Sequence, residues 1–301
     1  MKQHVSLKIP GSTSNLGPGF DSIGLAVNRY LYVKFEPSTE WKFHYIDFQE
    51  KFPSGKDNLI YKVIESIADE MLQTPEPQAI TMTSELPLER GLGSSAAAIV
   101  AGVEIADRIM NLHLTSKQKV MFASKFEGHA DNVAASIYGG LVIASGLGEI
   151  DTIVQEVENL EMVALIPERK LKTTDSRSVL PVNLSYQDAV KASSIANVLT
   201  AAAVMNNWQL AGELMKEDLF HQPYRKHLVP DLERVQSLAI EWGAYGAALS
   251  GAGPTLLLFT PPGTAGKLKA VMEKNFLEYE CLELLPTNRG VERVLNDVVQ
   301  R

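Results

Sequence analysis

Pro87-Leu88-Glu89-Arg90-Gly91-Leu92-Gly93-Ser94-Ser95-Ala96-Ala97 is the stretch on which the reading of this chain turns. Gly91 and Gly93 permit positive φ and a close approach of backbone to a ligand. The Ala-rich, Pro-free run from Ser94 to Met110 predicts a helix that starts at the serines. The first amides of a helix lack intrahelical acceptors and sit at the positive end of its dipole, so several N–H groups converge there. Such a point binds phosphate. A dinucleotide fingerprint would need an apolar parallel strand in front and an acid about twenty residues on. Here Glu85-Leu86-Pro87-Leu88-Glu89-Arg90 stands in front and Asn111 at that distance, so the fingerprint fails. A Walker loop ends in Gly-Lys-Ser/Thr, and no lysine follows Gly93. A helix start that is merely rich in Gly and Ser stays open on this segment alone.

Two further segments narrow the choice. Pro10-Gly11-Ser12-Thr13-Ser14-Asn15-Leu16-Gly17-Pro18-Gly19-Phe20-Asp21-Ser22-Ile23-Gly24 packs four glycines and two prolines into fifteen residues. A plain turn needs only a few such residues, so the excess predicts a binding loop. Leu249-Ser250-Gly251-Ala252-Gly253-Pro254-Thr255 is a third small-residue loop, which by itself reads equally well as a close-packed hairpin.

Around these loops lies an ordinary globular chain. Its 301 residues, at roughly 100 to 200 per domain, suggest two domains. Hydrophobic residues make 45% and charged residues 21%, which excludes disorder. A net charge of −8 without a dense basic run argues against nucleic acid and anionic membrane as partners. The single cysteine, Cys281, excludes an internal disulfide and a cysteine-based zinc cluster, and reads as a small apolar residue of a strand or core. Met1 to Gly11 lacks the apolar run of a secretion signal, and the longest apolar stretch, from Ala96, is broken by Glu104 and Asp107. A cytoplasmic protein is expected.

Alternation predicts strands at Val5, Leu7, Ile9 and at Leu31, Val33, Phe35. Leu59, Ile60, Val63, Ile64, Ile67, Ala68, Met71 and Leu72 form a helical stripe with Asp57 as candidate cap. Ile80 and Met82 alternate with threonines, and Leu141 to Ala144 reads as a strand followed by the punctuation of Gly146, Gly148, Glu149 and Asp151. Beyond a boundary placed at 155/156, the pattern predicts a strand at Met162 to Ile166 and helices at Gln187 to Met205 and Leu232 to Trp242. It then predicts strands at Gly246 to Leu249 and Leu256 to Phe259, a helix at Lys267 to Asn275 and a last strand near Leu282. Helices grouped between antiparallel-capable strands predict α+β in both halves.

The three loops, in this order, resemble the three motifs of the GHMP kinases. Within that superfamily, Asn15-Leu16-Gly17-Pro18-Gly19-Phe20-Asp21 with His129-Ala130-Asp131-Asn132-Val133 is most similar to the homoserine kinase branch. The resemblance runs from about Ile9 to Thr255. It implies a two-domain fold, with a ribosomal protein S5 domain 2-like nucleotide-binding domain over 1–155 and a ferredoxin-like C-terminal domain over 156–301. It also implies ATP-dependent phosphorylation of the side-chain hydroxyl of L-homoserine, with Mg²⁺, on the way to threonine. Another GHMP kinase acting on mevalonate, a sugar or a diphosphocytidyl alcohol is the nearest alternative, and a non-catalytic nucleotide-binding relative is a further one. The sequence leaves the oligomeric state open, a homodimer included.

By the same resemblance, residues Pro87 to Ala97 form the ATP loop, Asn58 meets adenine, and Thr173 lies near nucleotide and acceptor. Asn58 reads equally well as a helix cap. Ser95 and Glu127 are the implied Mg²⁺ ligands, oxygen donors that suit a hard cation. Homoserine carries a carboxylate, an ammonium and a hydroxyl. Arg177 and Arg225 are the implied carboxylate partners, Asp21 faces the ammonium, and Asn15 and His129 complete the polar ring. Asn132 stands where mevalonate kinase-like relatives have a candidate base, so no strong general base is expected and catalysis rests on proximity and charge. His221 and His227 read as ordinary surface or core residues.

Overall fold

A computed structural model describes residues 4–48, 52–145 and 149–294, so Gly146 and Gly148 lie outside the described residues. The chain runs β1 (Val5–Asn15), β2 (Gly19–Pro37), β3 (Lys42–Ile46), α1 (Leu59–Glu70), β4 (Gln78–Ser84), α2 (Ser94–Ile109), α3 (Ser116–Glu127), α4 (Asp131–Tyr138), β5 (Leu141–Ala144) and β6 (Thr152–Gln155). It continues with β7 (Glu161–Pro167), α5 (Thr173–Ser178), α6 (Tyr186–Val204), α7 (Trp208–Met215), α8 (Gln222–Arg225), α9 (Leu232–Glu241), β8 (Gly246–Leu249), β9 (Leu256–Thr260), α10 (Ala265–Asn275), β10 (Tyr279–Leu284) and β11 (Glu292–Val294).

The strands form two sheets. The first has the order β11-β1-β2-β4-β3, with β5 and β6 continuing from another part of the long β2. All its pairs are antiparallel except β3 with β4, which α1 connects. The second sheet has the order β10-β7-β9-β8, antiparallel throughout, the arrangement of a ferredoxin-like unit. The apolar stripe of α1 packs with α2, α3, α4 and one face of the first sheet into a core that holds Ile64, Ile80, Val100 and Val133. Leu16, Ile23, Leu25 and Leu141 of the first half join Met162, Leu257, Phe259, Leu199 and Trp208 of the second in a core shared by both. A third core lies under α9 and α10. Among the described residues no helix is long and apolar enough to cross a membrane.

Two expectations are corrected. The cap of α1 is Asn58, whose side chain accepts from the amide of Ile60, and not Asp57. The chain passes from the first sheet to the second between β6 and β7, near 155/156, but its end returns to the first. The amide of Asn28 donates to Leu285, that of Thr287 to Ala26 and that of Gly140 to Thr287, and β11 then pairs with β1.

Candidate active site

The three small-residue loops interlock. The amide of Ser12 donates to the Leu92 carbonyl (3.2 Å), and that of Gly251 to the Ser14 carbonyl (3.2 Å). Ser250 Oγ lies 2.5 Å from the Gly91 carbonyl and 2.8 Å from Thr13 Oγ1. Asn15 ties the first loop to the third, its Nδ2 donating to the Gly251 carbonyl while its Oδ1 accepts from the Asp21 amide. The glycines permit this approach. A Cβ on Gly91 (φ +81) would lie 2.3 Å from the Ser250 carbonyl oxygen, and one on Gly93 (φ +73) would lie 2.4 Å from Ser12 Oγ. Gly93, left-handed and without a side chain, is also the N-cap of α2, so no side chain covers the helix mouth.

That mouth opens into a cleft of about 340 Å³ between the two halves. Glu89, Gly91, Gly93, Ser94 and Ser95 line it from the loop, and Asn15, Asp21, Glu127, His129, Asn132, Thr173, Arg177 and Arg225 from elsewhere, together with Gly251 to Gly253. Other members of the expected ATP set lie apart. Leu92, Ala96 and Ala97 are buried in the cores. Pro87, Leu88 and Arg90 line a larger cavity of about 520 Å³ that reaches β10 and shares no residue with the cleft. Arg90 pins the loop to the end of β7 through the carbonyls of Pro167 and Glu168. Asn58 does not line the cleft, and its Nδ2 contacts the Tyr45 hydroxyl and the Pro53 carbonyl.

Ser95 Oγ donates to Glu127 Oε2 at 3.2 Å, so the two expected metal ligands are neighbours. Burial raises the Glu127 carboxyl above its ordinary value, against the opposing pull of His129. Such a carboxylate beside a hydroxyl gains from a cation, and the all-oxygen donor set fits Mg²⁺. Asn132 is fixed on both sides: its Nδ2 donates to Ser14 Oγ (2.9 Å) and its Oδ1 accepts from Ser12 Oγ (3.0 Å). Asp131 Oδ1 accepts from the Asn132 amide (2.7 Å) and meets His129 Nδ1 at 2.5 Å. Burial pulls the His129 pKa down, but Asp131, Glu127 and Asp21 outweigh it and the net shift is upward.

Arg177 and Asp21 form a two-armed ion pair, with Nη1 to Oδ2 at 3.0 Å and Nη2 to Oδ1 at 2.6 Å. The expected carboxylate holder and ammonium holder thus neutralise each other. Arg225 is fully buried and stacks with Arg177 on Phe20, their guanidinium carbons 5.4 and 5.5 Å from the ring centroid. Burial, then the charge of Arg177, lowers its pKa to about 10, so it stays charged at neutral pH. Its Nε donates to Ser176, and its Nη1 to Gly251 and to His221 Nδ1. Because an arginine only donates, His221 Nδ1 accepts, and Nε2 carries the proton toward the Gly17 carbonyl (3.0 Å). Burial brings His221 down to about 4, so the ring is neutral. Ser14, Phe20, Asp131, Lys172 and Thr174 also line the cleft without having been assigned from the sequence. His221, four residues before Arg225 and therefore on its side of the helical turn, had a spacing signal that went unused.

A profile of the GHMP kinases N terminal domain matches residues 58–140, and one of the GHMP kinases C terminal domain matches residues 196–278. The homoserine kinase of Halalkalibacterium halodurans is 46% identical over 98% of this chain and 97% of its own length. That of Bacillus pumilus is 48% identical over 95% of this chain and 93% of its own. The crystal structure of homoserine kinase from Cytophaga hutchinsonii superposes with a TM-score of 0.86 at 27% identity, covering 98% of both chains.

Proposed function

Because the chain belongs to the GHMP kinase family, we infer that it transfers the terminal phosphoryl group of ATP to the side-chain hydroxyl of L-homoserine. The product is O-phospho-L-homoserine, and the reaction serves threonine synthesis in the cytoplasm. The observation that carries this reading is the ion pair of Arg177 with Asp21, set beside Arg225 in the cleft onto which the mouth of α2 opens. A zwitterion can open that pair charge for charge, its carboxylate taking the guanidinium fork and its ammonium taking Asp21. Mevalonate, with a carboxylate and no ammonium, would leave Asp21 unpaired, and an unpaired half-buried charge is costly.

In this reading the amides at the start of α2 cradle the polyphosphate, and Arg225 and Arg177 hold the amino acid's carboxylate. Asn132, pinned between Ser12 and Ser14, orients the acceptor hydroxyl. Ser95 and Glu127 would hold Mg²⁺, which when bound supplies neutralisation of phosphate charge. No side chain need remove the hydroxyl proton before transfer, since a loose transition state places little demand on the nucleophile. It departs to phosphate or water. The panel assay is ADP release with Mg²⁺ATP over homoserine, mevalonate and galactose. Turnover with homoserine alone supports the reading; turnover with mevalonate, or with none, overturns it. Ser95→Ala or Glu127→Gln should lower kcat by about 100-fold and Asn132→Ala by about tenfold, roughly 3 and 1 kcal/mol of barrier. Equal and negligible effects in all three would refute the assigned site.

A further inference from the structure

Residues 171–177 run from the phosphate loop to the acceptor pocket. At one end the Leu171 amide donates to the Glu89 carbonyl at 3.1 Å, which docks the segment on the loop. At the other end Arg177 pairs with Asp21, and Ser176 Oγ donates to the Ala252 carbonyl of the third loop. The stretch between these anchors borders the space where the last phosphate of a nucleotide would face its acceptor. Lys172, Thr173 and Thr174 line the cleft there.

The other cations of the cleft are committed. Arg177 is held by Asp21, His129 by Asp131, and Arg225 by His221 and the carbonyls of Ser176 and Gly251. Lys172 is exposed, and among the described residues its ammonium has neither an ion pair nor a hydrogen bond. Nor does it serve its own element. Lys172 is the N-cap of α5, where a capping side chain must accept from backbone amides, and an ammonium only donates. A nucleoside triphosphate brings the missing anion, since it carries more negative charge than one divalent cation offsets. An ammonium on a flexible four-carbon stem can follow a moving phosphoryl group, whereas a guanidinium fork held by a carboxylate cannot. Given the phosphoryl-transfer reading, on which this rests, we propose that Lys172 is a further catalytic residue, its ammonium bound to the oxygens of the terminal phosphate of ATP and following them to the acceptor. The bond from the terminal phosphorus to its bridging oxygen breaks with its electron pair to ADP, and the acceptor oxygen bonds that phosphorus. The hydroxyl proton leaves to phosphate or water, and Lys172 supplies charge without exchanging a proton.

Titration calorimetry of the full chain with ATP and with ADP, both with Mg²⁺, tests this without an acceptor. Lys172→Ala should weaken ATP by about tenfold and ADP by less than about twofold, because only the triphosphate carries the group that the lysine holds. With homoserine present, kcat should fall by about 100-fold, since the contact gains strength as charge spreads over the transferring oxygens, and the KM for homoserine should not move. Lys172→Arg keeps the charge and should recover most of the ATP affinity and part of kcat. Thermal melts of both variants should match the wild type, as expected for an exposed side chain without a partner. Should Lys172→Ala melt early, Lys172→Gln makes the same comparison with a longer polar side chain. Equal losses for ATP and ADP, a loss for neither, or a change confined to the KM for homoserine would each overturn the proposal. A wild type that binds ATP but phosphorylates no member of the acceptor panel refutes the homoserine reading instead, and the ratio of ATP to ADP affinity in Lys172→Ala still supports or overturns the phosphate contact.

Discussion

Arg225 holds its charge in a place where water does not reach it, and the protein spends a neutral imidazole, two carbonyls and an aromatic face to keep it there. His221 acts through this arginine as a positioning residue. His221→Ala should raise the KM for homoserine by about tenfold, one lost charge-assisted hydrogen bond, and leave the KM for ATP unchanged. His221→Gln, which can still accept from the guanidinium, should recover part of the loss. The pH dependence has a definite sign. With a folded value near 4 against an ordinary 6.5, His221 contributes stability that is complete above pH 6.5 and is lost as pH falls toward 4. Urea melts between those limits should therefore fall less steeply for His221→Gln than for the wild type. Glu127 has the opposite direction, a carboxyl raised by burial. Mg²⁺ competes with its proton, so Mg²⁺ affinity should rise with pH through a window above the ordinary carboxylate range, and Glu127→Gln should abolish that rise. Asp21, Glu127, His129, Arg177 and Arg225, which line the cleft, were singled out from motif order, whereas Asp131 and Lys172, which line it too, were not. The pairing of Asp21 with Arg177 was not legible, since they lie 156 positions apart and only the fold brings them together.

Among the elements, α2 owes its phosphate-binding mouth to two glycines that no larger residue can replace. Gly93→Ala would force an L side chain into left-handed backbone and against Ser12, and Gly91→Ala would press on the third loop. Each should cost about 1–3 kcal/mol of stability and raise the KM for ATP, measured by melts and by kinetics on the same sample. Elements with a sustained period were readable: α2 and α9 lie within one residue of their expected bounds, α1 ends two residues before its expected stripe does, and β8 lies on its bounds. The elements left unassigned are short or irregular. β3 and β6 have five and four residues, α5 is six polar residues, and β11 has three. Windows that short carry too little periodicity to rise above their neighbours, and their place is set by pairing partners far away in the chain. The helices α3 and α4, which bring Glu127 and Asp131 to the cleft, were likewise not drawn from the pattern. Their function was read from motif order rather than from their structure.

Over the whole molecule, the core shared by both halves predicts that they melt together. Trp208, 2% exposed and stacked on Phe259, sits in that core. Trp208→Ala should cost about 3–5 kcal/mol, and calorimetry should show one transition at a lower temperature rather than two. Two separated transitions would mean that the halves are independent. The expectation of a boundary at 155/156 rested on the glycines and acids that crowd the chain just before it; the return of residues 285–294 was not legible, for nothing local marks a strand that pairs with β1 across nearly the whole sequence. That return sets a timetable for the ribosome. The outer edge of β1 remains unsatisfied until residues 292–294 have been translated, so the nascent first sheet waits, sticky along one border, for that distant strand to seal it.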